Sequence, residues 1–158
     1  MENLHLEYIS LIGLALALLV SIYTDLKSRM LYNNVNIIIA LMAPLFWYAT
    51  GTLTFAGVGF HLLFAACIFL FFCIFFALGQ MGGGDVKLLT VMALWFDFQG
   101  VFALAFYTAI YGAVVTIVFW ARHKLTKSKA KLRVPYGVAI ALSGFTLIGE
   151  RFFNQFSG

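Results

Sequence analysis

The chain has 158 residues, of which 63% are hydrophobic and only 10% charged, with a mean hydropathy of +0.99. A soluble domain carries about 25% charged residues to cover its surface, so this composition excludes one and predicts an all-α, polytopic membrane protein with residues 1–158 forming a single membrane-embedded domain. The net charge of +4 does not point to nucleic acid, because no soluble fold presents the cations; in a membrane protein their placement matters more than their sum.

The apolar runs predict six spans. Tyr8–Tyr23 is the first, slightly short of the ~20 residues that cross a bilayer. Glu2 and Glu7 stand where a signal peptide would be cationic, so it does not read as one. Thr24–Asn34 is a polar connection holding Asp25, Lys27, Arg29, Asn33 and Asn34. Val35–Ala49 is the second span, with Pro44 set to kink it. Thr50–Gly57 is an uncharged turn and Val58–Leu78 a third, very apolar span. After the glycines at 82–84 comes a short fourth segment, Val86–Phe96, ending at Trp95 and Asp97. Val101–Ala121 is a full-length fifth span, Arg122–Arg133 a basic loop, and Pro135–Ile148 a short sixth span opened by a proline suited to a first helical turn. Glu150–Gly158 reads as a polar tail with interfacial phenylalanines.

Nine of the ten Lys and Arg fall in the first, third and fifth connections: Lys27 and Arg29, then Lys87, then the six of Arg122–Arg133. With six spans these connections share one side, and the positive-inside rule makes it the cytoplasm, leaving both termini outside. Glu2, Glu7, Asp97 and Glu150 fall on the outer side, so only Asp25 and Asp85 return to the inner face. If Asp97 marks the outer interface, Asp85 lies about 18 Å away along a helix rising ~1.5 Å per residue. The hydrocarbon core is about 30 Å thick, so Asp85 is expected in a recess below the inner surface.

The stretch Gln80-Met81-Gly82-Gly83-Gly84-Asp85-Val86-Lys87 therefore draws attention. Three successive glycines make a poor helix interior and admit close backbone approach. An ionisable group at membrane depth is costly and is a functional-site candidate by default. Two facing aspartates form the constellation of an aspartic protease. Like charges a few ångströms apart do not both ionise cheaply, so the pair shares one proton. The carboxylate takes a proton from water while the carboxylic acid donates to the peptide carbonyl.

Plainer readings apply to single residues. Asp85 also resembles a helix N-cap, and Asp25 an interfacial residue paired with Lys27 or Arg29. Lys87 reads as a snorkelling lysine. The six cations of Arg122–Arg133 read as a topology determinant, with a site for anionic lipid headgroups as the lesser alternative. His5, His61 and His123 lack metal-ligand spacing, and Cys67 and Cys73 read as small buried hydrophobes, so no metal or other cofactor is expected. Gly137, Ala141 and Gly144 allow close helix packing.

At these residues the chain resembles the type IV prepilin peptidases, bacterial members of the GxGD membrane aspartic proteases. Gly82-Gly83-Gly84-Asp85 fits GxGD, and Val86-Lys87-Leu88 fits its continuation, so Gly82, Gly84 and Lys87 support the motif. Asp25-Leu26-Lys27-Ser28-Arg29-Met30-Leu31-Tyr32-Asn33 is similar to the family's first-aspartate motif, with Arg29 and Asn33 matching and Tyr32 where proline is usual. Val134–Ala139 resembles the opening of the last helix. The resemblance implies Asp25 and Asp85 as the catalytic pair, cleaving the leader of a prepilin or prepilin-like protein at the cytoplasmic face of the bacterial inner membrane. The pilin's apolar helix would lie in the bilayer beside the enzyme. Larger members carry a four-cysteine zinc motif and also N-methylate the product; this chain looks like the short form of tight-adherence (Flp-type) systems, a peptidase without methyltransferase activity. The alternatives are a presenilin or signal-peptide-peptidase-like protease, and a proton-coupled small transporter. The first pairs its aspartates on adjacent helices, whereas here two spans intervene; the second should show internal repeats or midplane acids.

Overall fold

The computed structural model describes residues 2–126 and 134–157. Among them are six α-helices and no strands: α1 Glu2–Ser28, α2 Asn33–Ala49, α3 Phe55–Ala77, α4 Gly83–Ala93, α5 Phe98–Leu125 and α6 Tyr136–Ser157. α1, α3 and α5 are long and apolar enough to cross a membrane, and α2 is a shorter apolar helix.

Several boundaries differ from those read off apolarity. α1 runs on past Tyr23 to Ser28, so Asp25 sits in its last turn and not in a loop. The polar residues there remain helical because Thr24 and Ser28 return their hydroxyls to the carbonyls of Ser21 and Thr24. Arg29 then leaves the helix at φ 55, an uncommon left-handed conformation for a residue with a side chain. Tyr32 follows at φ −75, ψ 134, values proline would also take. The expected polar tail is instead the end of α6, held by a ring stack of Phe152 on Tyr8 at 5.1 Å and an Arg151–Glu7 ion pair of 2.6 Å.

The short helix α4 is the centre of the packing. It touches α2, α3 and α6, while α1 packs on α2 and α6, and α5 packs chiefly on α6. Val86, Leu88, Leu89, Met92 and Ala93 of α4 are buried. Two tryptophans pin its far end to α2. Trp47 Nε1 donates to the Leu94 carbonyl at 2.7 Å, and Trp95 Nε1 donates to the Ile39 carbonyl at 3.1 Å. Pro44 lies inside α2.

α3 faces outward along most of its length, with only His61 and Ala65 buried. The two thiols therefore do not fill a core: Cys67 is exposed and Cys73 half-buried on this outer surface. His61 is packed flat against Trp47 at 5.1 Å, which gives it a structural place. α3 ends in a Schellman turn. Gly79 at φ 68 donates to the Phe76 carbonyl, and Gln80 to that of Phe75. The left-handed residue a Schellman turn requires is glycine by default, and here it turns the chain into the glycine stretch.

Candidate active site

Glycine stretch and helix start coincide. Gly82 is the N-cap of α4, Gly83 and Gly84 are in its first turn, and Asp85 is the third helical residue. Asp85 is thus not the N-cap itself. Its Oδ2 accepts from the Gly82 N–H at 3.2 Å, satisfying one of the donors a helix start leaves open. Glycines are tolerated here because the first turn holds few helical bonds and because space is short. A Cβ on Gly84 would stand 3.0 Å from Leu31 Cβ, and one on Gly83 would meet the Phe76 ring at 3.3 Å.

Asp25 reaches the same place from the end of α1. It is buried, with 5% of its surface exposed, and its Oδ2 accepts from the Val138 N–H at the start of α6 at 3.2 Å. Each carboxyl thus lies at a different helix N-terminus, where the backbone carries partial positive charge. The approach of α6 depends on Gly137, where a Cβ would stand 2.8 Å from Asp25 Oδ2. Neither Lys27 nor Arg29 forms an ion pair with Asp25 among the described residues. Lys27 donates to the Tyr23 hydroxyl, and the Arg29 guanidinium lies 4.5 Å from the Phe119 ring centre, with one buried nitrogen unpartnered.

Asp25 and Asp85 line one cleft of about 790 Å³ and share its walls with Arg29 to Asn33, Gly79 to Gly84, Val134 and Tyr136. They are close enough for Asp25 to act electrostatically on Asp85. The sequence motifs meet here as well: Lys87 Nζ donates to Asn33 Oδ1 at 2.9 Å, joining the start of α4 to the start of α2. Lys87 is therefore a tie between the two motif stretches and not a free snorkelling cation. Of the expected basic loop, Arg122 and Lys124 fall within the described residues; Lys127, Lys129, Lys131 and Arg133 lie outside them. Lys124 lies over the Trp120 ring at 4.9 Å.

Sequence reasoning found both carboxyls but missed how they are held. The Val138 N–H at Asp25 and the closeness of α6 carry no local signal beyond the small residue at 137. The Arg29–Phe119 contact joins residues far apart in the chain.

Fold and site together define a polytopic helical membrane protein with a two-carboxylate cleft at the ends of α1 and α4. The sequence model of the type IV leader peptidase family matches residues 12–117, a stretch that holds both aspartates and most of the helical core. The chain belongs to that family and is a membrane peptidase of prepilin leaders. No curated protein and no solved structure matches it.

Proposed function

We propose that the chain is an aspartic endopeptidase that cuts the leader from Flp-type prepilins at the cytoplasmic face of the inner membrane. Asp25 and Asp85 are its catalytic pair, and residues 1–158 act as one membrane-embedded unit with both termini outside. The observation that carries this is the shared cleft: carboxyls from α1 and α4 line one space of about 790 Å³, each backed by a helix N-terminus.

The chemistry follows from the pair holding one proton. The ionised carboxyl removes a proton from water, and the oxygen attacks the scissile carbonyl carbon. The protonated carboxyl donates to the carbonyl oxygen. When the tetrahedral intermediate collapses, the C–N bond breaks and the leaving nitrogen takes a proton from the pair. The products are a leader ending in a carboxylate and a pilin with a free amine. No metal or nucleotide has a part in these steps.

The positive-inside rule favours the cytoplasmic assignment, since Arg29 lines the cleft, Lys87 is bonded to Asn33 in its wall, and Arg29 meets the basic end of α5 at Phe119. Glu7 and Arg151 pair elsewhere, between the opposite ends of α1 and α6. The cations of Arg122–Arg133 also suit a contact with anionic headgroups.

The test is incubation of purified enzyme with a full-length Flp-type prepilin in bilayers, with chelator present, followed by mass spectrometry. The expected product is a pilin shortened at a single bond, with an unmethylated amino terminus even when a methyl donor is supplied. An uncut prepilin, or a methylated product, overturns the proposal.

A further inference from the structure

Beside the cleft lies a second cavity, of about 500 Å³, between α3 and α5. α3 packs mainly on α4 and α5 mainly on α6, so the two outer helices diverge. They meet at one end, where the Phe64 and Phe98 rings lie 5.4 Å apart, tilted by 54°. Away from that contact the groove runs along α5 past Ala105, Ala109, Gly112, Ala113 and Thr116. The other end reaches Met81 and Tyr136, and both residues also line the two-aspartate cleft. The groove therefore adjoins the site of cleavage, with Met81 and Tyr136 as walls common to both.

We propose that this groove seats the apolar membrane helix of the substrate and delivers the adjoining segment to Asp25 and Asp85. The proposal rests on the leader-peptidase reading and adds to it the surface that holds the part of the substrate that is not cut.

Three features select this occupant. First, the groove lies along a membrane-crossing helix, where an occupant must satisfy its own backbone hydrogen bonds, and a helix does so. Second, its floor is small residues at helical spacing, with Ala109 and Ala113 exposed; such a floor lets a second helix approach closely, and close packing drives helix association in lipid. Third, the floor from Ala105 to Ile117 spans about 18 Å at ~1.5 Å per residue, room for about three turns. A helix seated there ends at Met81 and Tyr136. Beyond that point the chain must leave helical form to present a carbonyl to the carboxyl pair, and the cleft there is polar enough to receive open backbone. A lipid acyl chain or a second copy of the enzyme would fill the groove without using the walls it shares with the cleft.

The test has two arms. In the first, Ala109→Trp and Ala113→Trp fill the groove, and Val114→Trp puts the same bulk on an exposed part of α5 outside it. Cleavage is measured on full-length prepilin and on a soluble peptide holding only the leader and the first few residues after the cut. The groove-filling variants are expected to lower kcat/KM for full-length prepilin at least tenfold more than for the peptide, mainly through KM. Val114→Trp is expected to leave the ratio of the two substrates as in the unaltered enzyme. An unchanged ratio in the groove-filling variants overturns the proposal.

In the second arm, a benzophenone is attached at Ala113→Cys in a Cys67→Ser, Cys73→Ser, Asp85→Asn background. The protein is illuminated in membranes with full-length prepilin. Crosslinking to the prepilin's apolar helix is expected. Crosslinks only to lipid, or to a second copy of the enzyme, overturn the proposal. This arm reads binding alone, so it stands apart from a failure of the aspartate chemistry, which would appear as cleavage by the Asp85→Asn protein.

Discussion

A single methyl group on α6 tests how tightly the site is built. At Gly137 an added Cβ would lie 2.8 Å from Asp25 Oδ2 and 2.9 and 3.0 Å from the two Leu31 methyls. The Leu31 tips can rotate aside. The Asp25 carboxyl has less freedom, since it is buried and bonded to the Val138 N–H. Gly137→Ala should therefore push the carboxyl by several tenths of an ångström or move the start of α6. Overpacking of this kind costs about 1–3 kcal/mol, and misplacing a catalytic group by ~1 Å can cost roughly 10²-fold in rate. The expected result is a fall in kcat of about 10- to 100-fold with little change in KM. Gly144→Ala is the matched comparison, because its Cβ would meet Met92 Cε at 2.6 Å and Leu18 Cδ1 at 2.7 Å, with no carboxyl nearby. It should lower the unfolding temperature in detergent and leave kcat within about threefold. Full activity in Gly137→Ala, with a stability loss like that of Gly144→Ala, would refute the idea that α6 positions Asp25.

Other expected outcomes follow from single contacts. Tyr32→Pro should be tolerated or stabilising by about 0.4–1 kcal/mol, because φ at 32 already suits proline and the change restricts the unfolded chain; a large loss of folded protein would show that the backbone there differs. Trp47→Phe should destabilise by about 1–3 kcal/mol, because it strands the buried Leu94 carbonyl, read as a lowered unfolding midpoint in detergent. Lys124→Ala removes, among the described residues, a contact over Trp120, worth about 0.5–1 kcal/mol at an exposed site, and should change cleavage less than about twofold.

Much of the architecture was legible because hydrocarbon imposes one pattern. Apolar runs must be helices, so the six elements and the return of Asp25 and Asp85 to one cleft could be read from spacing and charge. The ends of the helices could not. α1 and α6 continue into polar sequence because partners distant in the chain hold them there: Tyr8 against Phe152, and Glu7 against Arg151. Gly83 and Gly84 enter a helix despite poor propensity, because α4 is clamped by α2, α3 and α6 and propensity yields to packing. The cysteines were misread for a related reason. In a membrane, an apolar residue is as well placed on the outer surface as in the core, so Cys67 and Cys73 gave no sign that α3 faces outward. At the site, residue types announced the carboxyls, but the tie between Lys87 and Asn33 and the bond from Val138 to Asp25 depend on how α2, α4 and α6 meet.

The most direct measurement is single-turnover cleavage of full-length prepilin by purified Asp25→Asn and Asp85→Asn proteins, each first shown to be folded and membrane-inserted. Asparagine keeps the shape but cannot carry the charge or exchange the proton, and acid–base groups of this kind contribute about 10²–10⁴-fold. Both variants should lose at least that much, and the double variant should be no slower than the weaker single one, as expected for groups acting as a unit. Cleavage near the unaltered rate by either single variant would contradict a shared two-carboxylate mechanism.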